Sequence, residues 1–207
     1  MDKEAPEASA PGPSPASALG KTIIDEWSIV KAPPPPELKS VIVDPNITAL
    51  LILDIQNSSC NMERRPRCVA SVPAIQGLLD EARQKGMLVV FSTTSSGTSE
   101  DILQDVSPRV GEPVVKSSVN KFFNTNLDEI LQEKGIQHVI VVGTAAEGAA
   151  LNTAIAAALR ELEVVVPVDG LSSSELYAEQ YVCWNLVNAP GSGNRTTLTK
   201  TSMIEIV

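Results

Sequence analysis

The sequence predicts a three-layer α/β/α domain built on a central, mainly parallel sheet. Three observations carry that reading. Short apolar runs alternate along the chain with longer amphipathic or alanine-rich segments, the pattern of repeated strand–helix–strand units. The runs are continuous rather than alternating, as strands covered on both faces require. Hydrophobic residues make up 43% of the chain but aromatics only 3%, so the core must be packed from Val, Ile, Leu and Ala.

The elements follow in order. Residues 1–20 are almost wholly Ala, Pro, Ser and Gly with scattered acids, a composition that cannot offset its ordering entropy, so a disordered tail is expected. Residues 21–47 form an N-terminal arm with Trp27 and the run Pro33–Pro36, expected as an extended strap. The domain proper spans 48–207. Residues 48–54 (TALLILD) form the first strand. Ser71 to Lys85 is a helix, with Pro73 near its start and Gly86 past its end. Met87 to Phe91 is a strand, Ser99 to Val106 a short helix, and Val114 to Lys116 a short strand. A helix opening at Thr125–Asp128 stops at Gly135. His138 to Gly143 is a strand, Glu147 to Leu162 an alanine-rich helix, Glu163 to Val168 a strand, and Ser172 to Ala189 the last helix. Thr196 to Thr199 closes the sheet as an edge strand. In such sheets ligands bind beyond the carboxyl ends of the strands, so the residues just after each strand matter most.

Composition narrows the partners. A net charge of −9 repels phosphate backbones and anionic lipid, arguing against nucleic-acid and membrane roles and leaving a small-molecule ligand. No apolar run approaches the length of a membrane span, and the first residues lack a secretory signal. Three cysteines, Cys60, Cys68 and Cys183, are too few and scattered for a disulfide framework, so a reduced, cytoplasmic protein is expected. A single His, His138, leaves no metal-ligand cluster, and no GxGxxG fingerprint follows any strand; neither a metal nor another cofactor is implied.

Several residues at strand ends are suited to chemistry. Asp54 closes the first strand and can act as a base if burial raises its pKa; a cap is the plainer role. Lys116 ends another strand and can pair with Asp54; an exposed loop lysine is the alternative. The small-residue turn Gly143–Ala150 lets backbone approach closely and offers helix-start N–H groups to an anion. Cys60 lies six residues past Asp54, with Arg64, Arg65 and Arg67 following. Those cations favour a reactive thiol and a carboxylate pocket, against the plainer reading of a packed loop cysteine beside surface arginines.

At this point the chain resembles a known family. Residues 48–57 (TALLILDIQN), 114–127 (VVKSSVNKFFNTNL) and 136–170 are similar, in order, to blocks of the isochorismatase-like cysteine hydrolases, a group that includes nicotinamidases, carbamoylsarcosine amidohydrolases and isochorismatases. The resemblance spans roughly 47–205 and implies an Asp–Lys–Cys triad. Asp54 matches the acid. Lys116, six residues before Phe122, matches the amine, with Asn124 replacing a glycine of the motif. Counting six residues from Gly143 puts Ala149 in the position of the nucleophilic cysteine, with Thr153 and Ala154 in register. The covalent thioester route needs a thiolate and cannot run on Ala149. The resemblance also implies a non-proline cis peptide in this turn, placed here at Ala145–Ala146, and self-association into a homo-oligomer. The histidine-rich zinc pattern of nicotinamidases is missing.

Two readings follow. One is a divergent hydrolase of a small amide, ureide or enol ether. In it Asp54 is the base, Lys116 the charge stabiliser, the Ala145–Ala149 amides are the oxyanion donors, and Cys60 or an activated water is the nucleophile. Gln56, Arg64, Arg67, Phe122, Ala145 and Ala146 are the substrate-contacting candidates. The other is a pseudoenzyme that binds a small molecule or serves as an oligomeric scaffold.

Overall fold

Aliphatic runs set the centre of the molecule. The computed structural model describes residues 20–207, so the tail expected over 1–19 lies outside the described residues. In chain order the strands are β1 (Val41–Val43), β2 (Thr48–Leu53), β3 (Leu88–Thr93), β4 (Val114–Lys116), β5 (His138–Thr144), β6 (Glu163–Pro167), β7 (Leu171–Ser172), β8 (Thr196–Thr199) and β9 (Ile204–Ile206). The α-helices are α1 (Pro66–Gln84), α2 (Leu127–Glu133), α3 (Leu151–Ala158) and α4 (Leu176–Asn188). The main sheet runs β4-β3-β2-β5-β6-β8 with β7 added beside β5, and every pairing is parallel. All six residues of β2 are buried because it lies between β3 and β5, which is why it reads as an unbroken apolar run.

Alternation along β2 splits the core in two. Leu51 and Leu53 face a cluster with Val141, Leu131, Ala154 and Val182, drawn from β5, α2, α3 and α4. Leu50 and Ile52 face the opposite cluster with Ile140, Ile75 and Leu79, drawn from β5 and α1. Helices therefore cover both faces of the sheet, and the three-layer α/β/α architecture is established. These elements all belong to the compact unit Pro36–Val207; a separate short unit ends at Pro35 and holds one 3-10 turn, Trp27–Ile29.

Several boundaries differ from the sequence reading. Helix α1 begins at Pro66, where a missing N–H costs nothing, and Pro73 lies inside it. Residues 99–106 form two 3-10 turns, Ser99–Asp101 and Gln104–Val106. The helix expected from Glu147 is a π-helical turn, Ala146–Ala150, that leads into α3. The last helix starts at Leu176 because Leu171–Ser172 is taken up by pairing with β5. Strands β1 and β9 form a separate two-stranded sheet, too short to leave a periodic signal. Among the described residues no helix is long and apolar enough to cross a membrane.

Candidate active site

The carboxyl ends of β2, β3 and β5 open onto a cavity of about 440 Å³. Asp54 enters it directly after β2, with φ at 55°, the left-handed region that Asp tolerates better than most residues. That turn is held from behind: the Ser59 hydroxyl donates to Asp54 O at 2.6 Å, and Gln56 N–H donates to the same oxygen at 2.9 Å. Across the cavity mouth, Gly143 stands in register with Leu53. A Cβ there would lie 2.1 Å from Leu53 O, so only glycine lets β5 approach and deliver the turn Thr144–Ala149 to the same cavity.

Asp54 is paired, but with a different lysine from the one expected. Lys121 Nζ lies 2.8 Å from Asp54 Oδ2. Lys116 is exposed: in β4 only Val115 is buried, so its neighbours Val114 and Lys116 point outward. After Lys116 the chain turns back, and Lys121 becomes completely buried. Its ammonium donates to Ser118 O at 2.6 Å, Ser117 O at 3.0 Å and Thr93 O at 3.3 Å. The backbone is pinned by Thr153 of α3, whose hydroxyl accepts from Lys121 N–H at 3.2 Å. The signal available in the sequence was a lysine next to two aromatics, Lys121-Phe122-Phe123, where a solvated loop lysine is out of place. Ser92 of β3 completes the group, donating to Asp54 Oδ1 at 2.7 Å. Burial raises the Asp54 carboxyl above the usual aspartate range, opposed by Lys121 and Ser92, and the same burial lowers the Lys121 ammonium.

Ala149 lines this cavity and is 3% exposed, so a methyl group stands where the resemblance places a sulfur. Ala145 and Gly148 line the same wall, whereas Ala146 is turned into the core. The cis peptide is Thr144–Ala145, one residue earlier than expected. Two amides of the turn are already used, because Gly148 and Ala150 N–H both donate to Ala145 O, at 3.0 and 3.3 Å.

Cys60 is not a thiol. It forms a disulfide with Cys68 across the loop between β2 and α1, and both are buried. The loop curls tightly, Cys60 N–H donating to Gln56 O at 2.7 Å, so that the two cysteines meet with Cα atoms 5.2 Å apart. Neither a substitute nucleophile nor a fully reduced chain survives this pairing; Cys183 is the one free cysteine among the described residues.

The substrate-contacting candidates separate. Arg64 lines the cavity. Arg67 does not; it is bound to Glu179 of α4 by two hydrogen bonds. Gln56 is fully buried, and its side-chain oxygen accepts from Thr94 N–H at 2.9 Å, which holds the Thr94–Ser96 edge of the cavity. Phe122 packs in the core beneath the Arg160 guanidinium, 4.3 Å from the ring centre. The arginine that the candidates omitted is Arg65, 8% exposed and lining the cavity. Its Nη1 donates to Ser59 O at 3.2 Å and Thr144 Oγ1 at 3.1 Å, and its Nε to Ser174 Oγ at 3.3 Å. Burial lowers its pKa, Arg64 adds to that, and Glu147 opposes it.

An isochorismatase-domain family model matches residues 48–199. A secreted isochorismatase effector of Verticillium dahliae is 27% identical over 141 residues, 62% of this chain and 74% of that protein. Among solved structures, an isochorismatase family protein from Burkholderia thailandensis superimposes with a TM-score of 0.69 at 19% identity, covering 80% of this chain and 97% of its own. The N-carbamoylsarcosine amidase of Thermoplasma acidophilum gives 0.64 at 21% identity, covering 74% and 96%. At these identities the two structures speak for the fold.

Proposed function

The chain belongs to the isochorismatase family, and from that premise we propose that it hydrolyses a small enol ether by general-acid catalysis, with Asp54 as the acid. One observation carries this reading: a carboxyl whose pKa is raised by burial lines the same cavity as the methyl of Ala149. Amide and ureide hydrolysis by the thioester route requires an attacking thiolate. Enol-ether hydrolysis requires none from the protein. A proton from the Asp54 carboxyl adds to the terminal vinyl carbon, and the resulting oxocarbenium takes up water at the ether carbon with loss of a proton. The hemiketal then collapses to a ketone and an alcohol. A raised pKa favours the protonated form that a general acid needs. Lys121 lies behind Asp54 and acts as a positioning residue, fixing Oδ2 and the local proton balance.

The test is chromatographic. Purified protein is incubated with isochorismate, after which the family is named, and separately with N-carbamoylsarcosine. Enol-ether cleavage that is abolished in Asp54→Asn supports the reading; amide cleavage without ether cleavage overturns it. Ala149→Cys sharpens the outcome, since a restored thiol beside an intact acid and lysine should gain amidase activity. The pseudoenzyme reading has its own support in the missing thiol, and it prevails if ligands bind without turnover.

Two further expectations stand as proposals. Homo-oligomer formation would use the exposed α4 side chains Tyr177, Tyr181 and Trp184, and light scattering tests it. The Cys60–Cys68 disulfide fits an oxidising compartment better than the reduced cytoplasm expected from cysteine count; thiol trapping in intact cells decides between them.

A further inference from the structure

The loop between β2 and α1 supplies one wall of the cavity through Ser58, Ser59, Arg64 and Arg65. Much of what shapes it is internal. Asn61 Nδ2 donates to Asn57 O, Arg64 N–H to Asn61 Oδ1 and Arg65 N–H to Asn61 O, each at 2.8 Å. Bonds within a loop give it a shape but do not seat it on the sheet. Its outer residues Asn57, Ser58, Met62, Glu63 and Arg64 are exposed. The one apolar side chain that it buries is Cys60, and Cys60 is joined to Cys68 in the first turn of α1. That helix is anchored in the core by Ile75 and Leu79, so the sulfur bond ties the loop to a fixed element.

The same layout favours this pair over any other. A thiol in the first turn of a helix is drawn towards the thiolate by the free N–H groups there, and nearby cations add to the pull. Cys68 has that place, three residues after Arg65. Cys183 lies on α4, where burial and Glu179 push its thiol up, away from the thiolate.

We propose that the Ser58–Arg65 wall is oxidation-dependent: it is seated on the cavity when Cys60 and Cys68 are joined and comes loose when both are thiols. The oxidant is a low-molecular-weight disulfide. The Cys68 thiolate attacks one of its sulfurs, breaks the S–S bond and releases one thiolate. The Cys60 thiolate then attacks Cys68 Sγ in the mixed disulfide and releases the second. Two electrons pass from the cysteine pair to the oxidant, and the two protons that the cysteines lose end on the two released thiols. A dithiol reductant reverses both steps. Both sulfurs are buried once joined, so reduction waits for the loop to open and is the slow direction. This inference rests on the cavity being the ligand site named above, and makes that site conditional on the redox state of the chain.

Hydrogen exchange and arginine labelling on the full chain test it. The protein is prepared reduced, its three thiols confirmed by trapping, and then oxidised with glutathione disulfide. In the thiol form the Asn57–Arg65 amides should exchange about tenfold or more faster than in the disulfide form, because loop closure no longer opposes opening. The amides of β2 and β5 should not change. A dicarbonyl reagent for guanidines should label exposed Arg64 in both forms, and Arg65, 8% exposed, only in the thiol form. Cys183→Ser should follow the wild type, and Cys68→Ser should keep the thiol-form pattern whatever the oxidant. The wild-type comparison needs no variant, so a fold damaged by substitution cannot mask the result. Equal loop exchange in the two forms, or Arg65 protected in both, overturns the proposal. So does faster exchange spread evenly over β2 and β5, the mark of a brace for the whole fold. None of these readouts needs turnover. A redox-dependent wall without ether cleavage retains the proposal and removes the hydrolase reading, and ether cleavage with a wall indifferent to oxidation does the reverse.

Discussion

The two walls of the cavity hold opposite kinds of charge. On the β2–β3 side, Asp54 is saturated by the protein: Lys121, Ser92 and backbone carbonyls bind every member of the group. On the wall formed by the β2–α1 loop, Arg65 is fixed in place with neutral partners and one terminal nitrogen left over. The first arrangement holds a paired charge, and the second a buried cation with neutral partners. A third pair calibrates both: Arg67 and Glu179, where the arginine side chain is 54% exposed, bind each other at the surface without reference to the cavity.

The largest break in this contrast comes from Lys121→Met. Removing one partner of a fully buried pair strands Asp54 without its counter-charge, and a loss of about 3–5 kcal/mol is expected in denaturant unfolding. Adding Asp54→Asn to the same chain should recover much of that loss, because no buried charge then remains.

The Arg65 wall has a different brace. Replacing Cys60 and Cys68 together by serine opens a short loop closure, with an expected cost of about 2–3 kcal/mol. The same variant should loosen the hold of Ser59 on Arg65 while leaving the Asp54–Lys121 pair intact. Hydrogen exchange over the loop and thermal unfolding separate the two effects.

The pH profile sharpens the comparison further. Asp54 works as an acid only while protonated, and burial raises its pKa. Ether cleavage should therefore be greatest at low pH and fall as pH rises through that raised value, by about tenfold per pH unit above it. A rate that climbs with pH over the same window contradicts the general-acid role. The smallest effect belongs to Arg67→Ala. Arg67 is half-exposed and Glu179 keeps the Ser173 N–H as a donor, so its loss should cost about 0–1 kcal/mol and leave ether cleavage unchanged.

Much of this site was legible in the chain. Asp54 and Ala149 do share one cavity, because each follows a strand of a parallel sheet and such ends converge. Lys116 failed as the partner because a motif count cannot see which way a short edge strand presents its side chains. Val115 takes the single buried position of β4, and the amine that reaches Asp54 arrives five residues later. Gln56 and Phe122 failed as ligand contacts for a related reason: adjacency to a site residue in sequence does not distinguish facing the cavity from supporting it. Cys60 was misjudged because the curl of an eight-residue separation is set by backbone hydrogen bonds that spacing does not record.

The sequence by itself determined the α/β class, the order of the central elements, and an alanine, Ala149, in the turn after the central strand β5. Hydrophobic periodicity and residue identity are local properties, and they survive without coordinates. The choice of Lys121, the Cys60–Cys68 bond and the burial of Arg65 among neutral partners were decided only by tertiary structure. Each depends on groups from separate segments meeting in space: Lys121 on Thr93 and Thr153, Arg65 on Thr144 and Ser174. Burial and charge compensation are properties of that meeting, and no linear pattern encodes them.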